Sequence, residues 1–415
     1  MGLHADHEQS RHLSLTVQIF DCPIPTFQLF GYTGFLLSFV QSLFLTIHLG
    51  LSLFTLLGVT GTVILTFYVL MVVTKILAGG EVIIYYHHEI AVITAAALFL
   101  RLTRQPVLPY LDVLVLGLGL FLAFGRLGCL MVGCCYGRPC RWGVSYGQHH
   151  VHAGFPSCLA GVKLFPIQAV ESAFAACIVS IGLFFLLQPH KNGSVLLIYV
   201  LAYGCGRFCL EFFRGDADRR YLLGFSEAQW TSLVLALAIV LGERLQLLPA
   251  ARWHLAAAAT MVGAMVLVQV RRRFDTSRSF FLLHPVHLKE ISVALRHLKS
   301  LQQQGPAPGW DQGAGVIYLV RTSFGYRISA GRSSTSLARV EHFSVSRESG
   351  DLSVQGATTL GRLLLRLSEC SESFDLIQRS NGVFHIILHP QEVPGLQHSP
   401  EASRYHEPTL HSYIS

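Results

Sequence analysis

Between Asp21 and Lys75 the chain carries no Asp, Glu, Lys or Arg. A membrane helix needs about 20 apolar residues, so this stretch holds two spans with a tight connection near His48 to Ser52. A pair of buried core helices in a soluble protein is the far weaker reading. Charged residues make up 13% of the 415-residue chain, about half the usual quarter. That is too little charge to cover the surface of a soluble protein of this size, so the bilayer is the better solvent.

Apolar runs near 28–47, 51–74, 82–101, 109–132, 166–188, 194–213 and 229–246 read as spans, and a last run, 253–270, ends at Arg271, Arg272 and Arg273. The expected fold is an all-α polytopic membrane protein of seven or eight transmembrane helices with a small C-terminal α+β soluble domain. Residues 1–27 read as a polar N-terminal segment without a signal peptide, 28–274 as the membrane domain, 275–390 as the soluble domain and 391–415 as a disordered tail. In the soluble part, 285–301 reads as an amphipathic helix with Ile291, Leu295 and Leu298 on one face. Leu360, Leu363, Leu364 and Leu367 mark a second stripe, and strands are expected near 316–320, 343–346 and 383–388. The break at about 140–165, rich in Gly, His and Pro, predicts a small extramembrane element. Loop charge favours both ends being cytoplasmic, with Arg214, Arg219, Arg220 and the Arg triplet inside.

Ionisable groups inside spans cost at least about 2.5–3.5 kcal/mol each and mark function by default. Three sets stand out. Tyr85-Tyr86-His87-His88-Glu89 offers an imidazole beside a carboxylate, the makings of a general base. In GRLGCLMVGCCYGRP at 125–139, Arg126 sits in an apolar span, and Gly125, Gly128 and Gly133 allow close approach of a backbone or headgroup. In GCGRFCLEFFR at 204–214, the spacing of Arg207, Glu211 and Arg214 predicts that all three share one helix face. Glu211 would hold one guanidinium and leave another for an anion. Gln168 and Glu171 add a polar pair near a span start. Together these imply an intramembrane pocket suited to a phospholipid headgroup, and nothing in the +7 net charge asks for nucleic acid.

The second and third sets, with WGV at 142–144, PIQAVES at 166–172, YGCGRFCLEFFRGDAD at 203–218 and GFSEAQWTSL at 224–233, resemble the prolipoprotein diacylglyceryl transferase family in order and spacing. The resemblance covers roughly 28–246 and implies an enzyme of the bacterial inner membrane. Such an enzyme transfers the diacylglyceryl group of phosphatidylglycerol to the lipobox cysteine of a lipoprotein precursor, forming a thioether and releasing glycerol phosphate. It implies no metal and no cofactor. It places Arg126 and Arg207 on the headgroup, with His87 as proton acceptor. Tyr136, Gly137, Gln168, Glu171, Glu211 and Arg214 would then line or organise the substrate pocket. Departures are plain: His88 and Glu89 replace glycines of a His-Gly-Gly motif, Cys129 an asparagine, and Cys134 an acidic residue. Phe30-Gly31 stands for Tyr-Gly, and the domain from about 275 is extra and expected to be dispensable for chemistry. The family's seven spans start outside, so an eighth would put that domain outside too, against the charge count. Two other readings compete: a non-catalytic lipid-binding paralogue, and a membrane metal or redox protein built on Cys129, Cys134, Cys135 and Cys140 with His87 and His88.

Overall fold

The computed structural model describes residues 13–78 (except 21), 85–274 (except 218), 282–304, 318–335, 338–348, 351–368, 371–390 (except 381) and 404–405. A short hairpin, β1 (Thr16–Ile19) and β2 (Cys22–Pro25), leads into eight long helices. These are α1 (Thr26–His48), α2 (Leu53–Ala78), α3 (Tyr85–Leu102), α4 (Val107–Val132), α5 (Ile167–Leu186), α6 (Ser194–Leu210), α7 (Glu227–Arg244) and α8 (Arg252–Phe274). Six of them, all but α3 and α7, are long and apolar enough to cross a membrane. A mostly helical membrane protein with a C-terminal sheet region is as expected, but among the described residues six helices, not the expected seven or eight, meet that criterion. The polar start of α3, and Glu227, Glu243 and Arg244 in α7, make these two helices less apolar.

Large apolar side chains such as Phe54, Leu65 and Ile76 are exposed on α2, as lipid-facing residues must be. Helix α4 is the hub, packing on α1, α3, α5 and α6. At its start the Tyr110 hydroxyl donates to the Ser52 carbonyl (3.1 Å). The Asp112 carboxylate accepts from the backbone N–H groups of Gly193 (2.6 Å) and Leu196 (2.7 Å), capping α6. This fully buried acid has a structural use, because a helix N-terminus offers unpaired donors and a positive dipole end. The turns 49–52, 103–106 and 187–193 therefore share one end of the bundle.

The opposite end carries the N-terminal hairpin, the segment 133–166 and the turn after α6. The segment expected to form a small extramembrane element folds as β3 (Pro139–Val144), one helical turn (Gln148–His152) and a 3₁₀ turn (Ser157–Leu159). Against it lies the C-terminal sheet region, with α9 (Pro285–Gln304) and α10 (Val354–Leu367). After the small hairpin β4 (Tyr221–Leu222) and β5 (Phe225–Ser226) that precedes α7, the strands of this region are β6 (Tyr318–Arg321), β7 (Tyr326–Thr335), β8 (Ala338–Arg347), β9 (Ser371–Ser380), β10 (Val383–Pro390) and β11 (Arg404–Tyr405), in the antiparallel order β11-β9-β10-β8-β7-β6. Period-2 burial of Tyr326, Ile328 and Ala330, and of Phe384, Ile386 and Leu388, aims one sheet face at the core. Both expected helical stripes are buried on it. Val316 and Ile317 of the expected first strand lie outside the described residues, as does most of the expected tail. Arg404–Tyr405 of that tail instead pair with β9.

One apolar cluster joins Leu288, Leu295 and Leu298 of α9 and the sheet core to Tyr136, Tyr146, Phe155, Leu159, Val162 and Leu164, with Leu13 packed against it. The C-terminal region and the N-terminal hairpin thus sit at the same end of the bundle as the 133–166 segment.

Candidate active site

The site forms where α4, α5 and α6 reach that end. Helix α4 runs unbroken through Arg126 because its sequence is Leu-rich, and it stops at Gly133, whose left-handed φ of 80° closes the last turn. Gly128 packs against Phe27 and Phe30, while Gly125 has open space beside it. Helix α5 is tied to α4 by the Ser172 hydroxyl, which donates to the Ala123 carbonyl (2.7 Å). That registration brings Glu171, with no exposed surface, beneath Arg126.

Glu171 is the centre of the charge network. Its carboxylate accepts from the Tyr203 hydroxyl (2.9 Å) and from Arg207 Nη1 (3.1 and 3.2 Å). Arg126 Nε stands 3.0 Å and Arg214 Nη1 3.6 Å from its Oε2. Both of those nitrogens are buried and make no hydrogen bond among the described residues. An isolated buried carboxylate would be untenable, and converging guanidiniums offset its desolvation. Glu211 accepts from Arg207 Nη2 (2.7 Å) and is also paired with Arg219. Asp216 takes a two-pronged contact from Arg214 (2.9 and 3.1 Å) and one from Arg219 Nε (2.9 Å). Burial raises the Asp216 pKa, but Arg214 and Arg219 outweigh it and hold the carboxyl down at about 2.

Arg207, Glu211 and Arg214 do not share one helix face. Helix α6 ends at Leu210, a 3₁₀ turn covers Glu211–Phe213, and Arg214 is extended with ψ 143°. The cause is backbone pairing with the segment after α4. Arg138 N–H donates to the Phe213 carbonyl (3.0 Å), Gly215 N–H to that of Tyr136 (3.0 Å), and Gly137 bridges Arg214. Arg214 therefore reaches Glu171 from outside the helix. The approach needs glycine: a Cβ on Gly137 would fall 2.3 Å from the Phe165 carbonyl oxygen, and one on Gly215 2.4 Å from that of Gly137. Gly137→Ala is expected to displace Arg214 and cut activity by at least about tenfold, a loss readable as about 1.4 kcal/mol in the transition state. Wild-type turnover by that variant would show that the strand pairing does not position the site.

Tyr136 is buried against Phe155, ring centroids 5.5 Å apart, and contributes its carbonyl to that pairing. Gln168, 1% exposed, donates its amide to the Cys134 carbonyl (2.8 Å) and to the Tyr146 hydroxyl (3.4 Å), so it braces the turn after α4.

The α3 set divides. His87 Nε2 lies 3.0 Å from Glu227, with side chains about two-fifths exposed. His88 is buried against Phe67 at 5.1 Å between ring centroids. Glu89 turns inward to accept from the Tyr199 hydroxyl (2.5 Å). The carboxylate beside His87 is thus Glu227, since residues two apart on a helix face different ways. Tyr86, Glu89, Tyr199 and Tyr203 line a cavity of about 130 Å³ with Ile93 and Leu235. Tyr199 and Tyr203 escaped the sequence reading, although their spacing of four put them on one face of α6. Asp216 and Arg219 escaped it as network members. Their signal was the charge-dense run Arg214 to Arg220.

Residues 46–242 match the family described as "Prolipoprotein diacylglyceryl transferase". The chain is 32% identical over 136 residues to the phosphatidylglycerol–prolipoprotein diacylglyceryl transferase of Clostridium tetani, covering 33% of this chain and 53% of that protein. It is 36% identical over 130 residues to the protein of the same name from Dehalococcoides mccartyi, covering 31% and 48%. Against a second such transferase of Clostridium perfringens it is 37% identical over 113 residues, covering 26% and 41%. The chain spans about half the length of these relatives. The matched residues contain Arg126, Glu171, Arg207, Glu211 and Arg214 in the arrangement just described, and over them the chain is similar to the prolipoprotein diacylglyceryl transferase family.

Proposed function

We propose that this protein transfers the diacylglyceryl group of phosphatidylglycerol to the cysteine thiol of a lipoprotein precursor at a bacterial inner membrane. The observation that carries the reading is the convergence of three buried arginines, Arg126, Arg207 and Arg214, on the single carboxylate of Glu171. Four arginines here face three carboxylates, Glu171, Glu211 and Asp216. An excess of positive charge in a poorly hydrated pocket suits a phosphate oxyanion.

In this reading the acceptor sulfur attacks a glyceryl carbon as thiolate. The C–S bond forms as the C–O bond to phosphate breaks, and glycerol phosphate leaves with the electron pair. Arg126, Arg207 and Arg214 stabilise its charge. Glu171 and Glu211 hold those arginines in place, since a carboxylate would repel the phosphate itself. Tyr136, Gly137 and Gln168 shape the backbone around them. His87 takes the thiol proton, with Glu227 orienting its ring. A peptide carrying a lipobox cysteine, incubated with the protein in vesicles of labelled phosphatidylglycerol, is expected to gain label. A Cys→Ser peptide labelled equally well would sink the reading.

His87→Gln is expected to slow transfer by about 10²–10⁴-fold, the usual worth of a positioned base. It is also expected to change the shape of the pH–rate profile, because the proton acceptor is lost. A profile unchanged in shape would place the base elsewhere.

A further inference from the structure

The reading above leaves Cys129, Cys134 and Cys135 without a task. Their sulfur atoms all lie within 4.8 Å of one another, and none is in a disulfide. Tetrahedral zinc with bonds of about 2.3 Å sets its sulfur ligands roughly 3.7 Å apart, so the three need close by only about 1 Å. Neighbouring side chains ordinarily diverge. Here Cys135 has a left-handed φ of 56°, rare outside glycine, and that reversal brings its thiol back beside that of Cys134.

The turn is braced on every side. Gln168 holds the Cys134 carbonyl (2.8 Å), the Tyr146 hydroxyl holds that of Leu130 (2.9 Å), and the His150 ring meets that of Met131 (3.1 Å). Cys134 is exposed, so a fourth direction is open. Cys140, the fourth member of the sequence cluster, points its thiol at the Trp142 carbonyl instead. Position ties the triad to the arginines. Cys129 follows Arg126 by three residues on one face of α4, and Cys135 precedes the Tyr136–Arg138 strand that pairs with Arg214.

We propose that Cys129, Cys134 and Cys135 hold a zinc ion whose open fourth position takes the acceptor cysteine as thiolate. The inference rests on the transferase reading and deepens it. Three protein ligands and one open position is the pattern of a catalytic rather than a structural zinc site. Zinc binding releases the protons of the three thiols, and the acceptor thiol gives its own to His87. The bound sulfur then forms the C–S bond as phosphate departs. Zinc keeps its oxidation state throughout, and the neutral thioether, a weaker ligand than thiolate, leaves.

The test uses full-length protein purified in detergent. Zinc is expected at about one per chain, and Cys134→Ser is expected to weaken its binding at least about tenfold. Cobalt(II) added to the zinc-free wild type is expected to give thiolate charge-transfer absorption in the near ultraviolet. That absorption should intensify with a lipobox cysteine peptide and not with its serine counterpart. The spectrum requires no lipid and no folded variant, so it separates the two claims. Cobalt–thiolate absorption that responds to the peptide, without any lipid transfer, would uphold the site and defeat the transferase reading. Transfer by a protein that binds no zinc or cobalt, or that links two of these cysteines as a disulfide, would overturn the inference and leave that reading intact.

Discussion

Arg207→Ala and Arg126→Ala are each expected to lower diacylglyceryl transfer by about 10²–10³-fold while the protein still inserts, the usual effect of removing one preorganised oxyanion donor. Arg207 spans two carboxylates, Glu171 at 3.1 Å and Glu211 at 2.7 Å, so its loss also leaves those acids short of counter-charge. Lysine at 207 should rescue little, because a point charge cannot hold both acids in one fork. Glu171→Gln is expected to behave differently. It removes the shared counter-ion of Arg126, Arg207 and Arg214, and breaking a buried pair in this way costs about 3–5 kcal/mol. Detergent-solubilised Glu171→Gln should therefore unfold at lower temperature as well as lose transfer. Normal transfer by either alanine variant would remove that arginine from the mechanism.

Truncation after Arg273 is expected to abolish or cripple transfer, against what the motif pattern alone suggests. The family motifs end near residue 246, which makes the C-terminal region look dispensable. Yet Leu288, Leu295 and Leu298 share an apolar cluster with Tyr136, Tyr146 and Leu164. These residues flank the strand that pairs with Arg214 and the turn that Gln168 braces. Removing the region would uncover aromatic surface next to the arginines, and fully burying a side chain of that size is worth about 1.5–3 kcal/mol. Measured insertion, thermal stability and transfer of residues 1–273 decide the matter. A stable truncated protein with full turnover would show that the packing has no bearing on the site.

The helical bundle was legible because the bilayer demands a crude signal, long apolar runs almost free of charge, and α1, α2 and α4 supply it without ambiguity. The arginines were legible for the same reason, as charges where charge is costly. Partner choice was not. The spacing of Arg207 and Glu211 gave a true i,i+4 pair, but extending the helix to Arg214 ignored a long-range strand pairing with Gly137 that no local pattern encodes. Glu171 appeared as one of a polar pair, and its central position depends on how α5 registers against α4. Glu89 was assigned to His87 by proximity in sequence, whereas helix geometry sends it to Tyr199 and leaves His87 with Glu227, 140 residues further along the chain. Asp112 went unremarked because a capping acid and a catalytic one look alike until the neighbouring helix start is placed.

The central claim is that the arginine cluster binds the phosphate of a phospholipid while the glyceryl carbon is passed to sulfur. Its most direct measurement follows both products at once, in vesicles of phosphatidylglycerol with a lipobox cysteine peptide. Mass spectrometry reads the peptide, and an enzymatic assay reads glycerol phosphate. The account predicts one diacylglyceryl group on the cysteine for each glycerol phosphate released, in a bond that survives hydroxylamine as a thioether does. No product of either kind from inserted, folded protein, or a hydroxylamine-labile acyl group on the peptide, would contradict it.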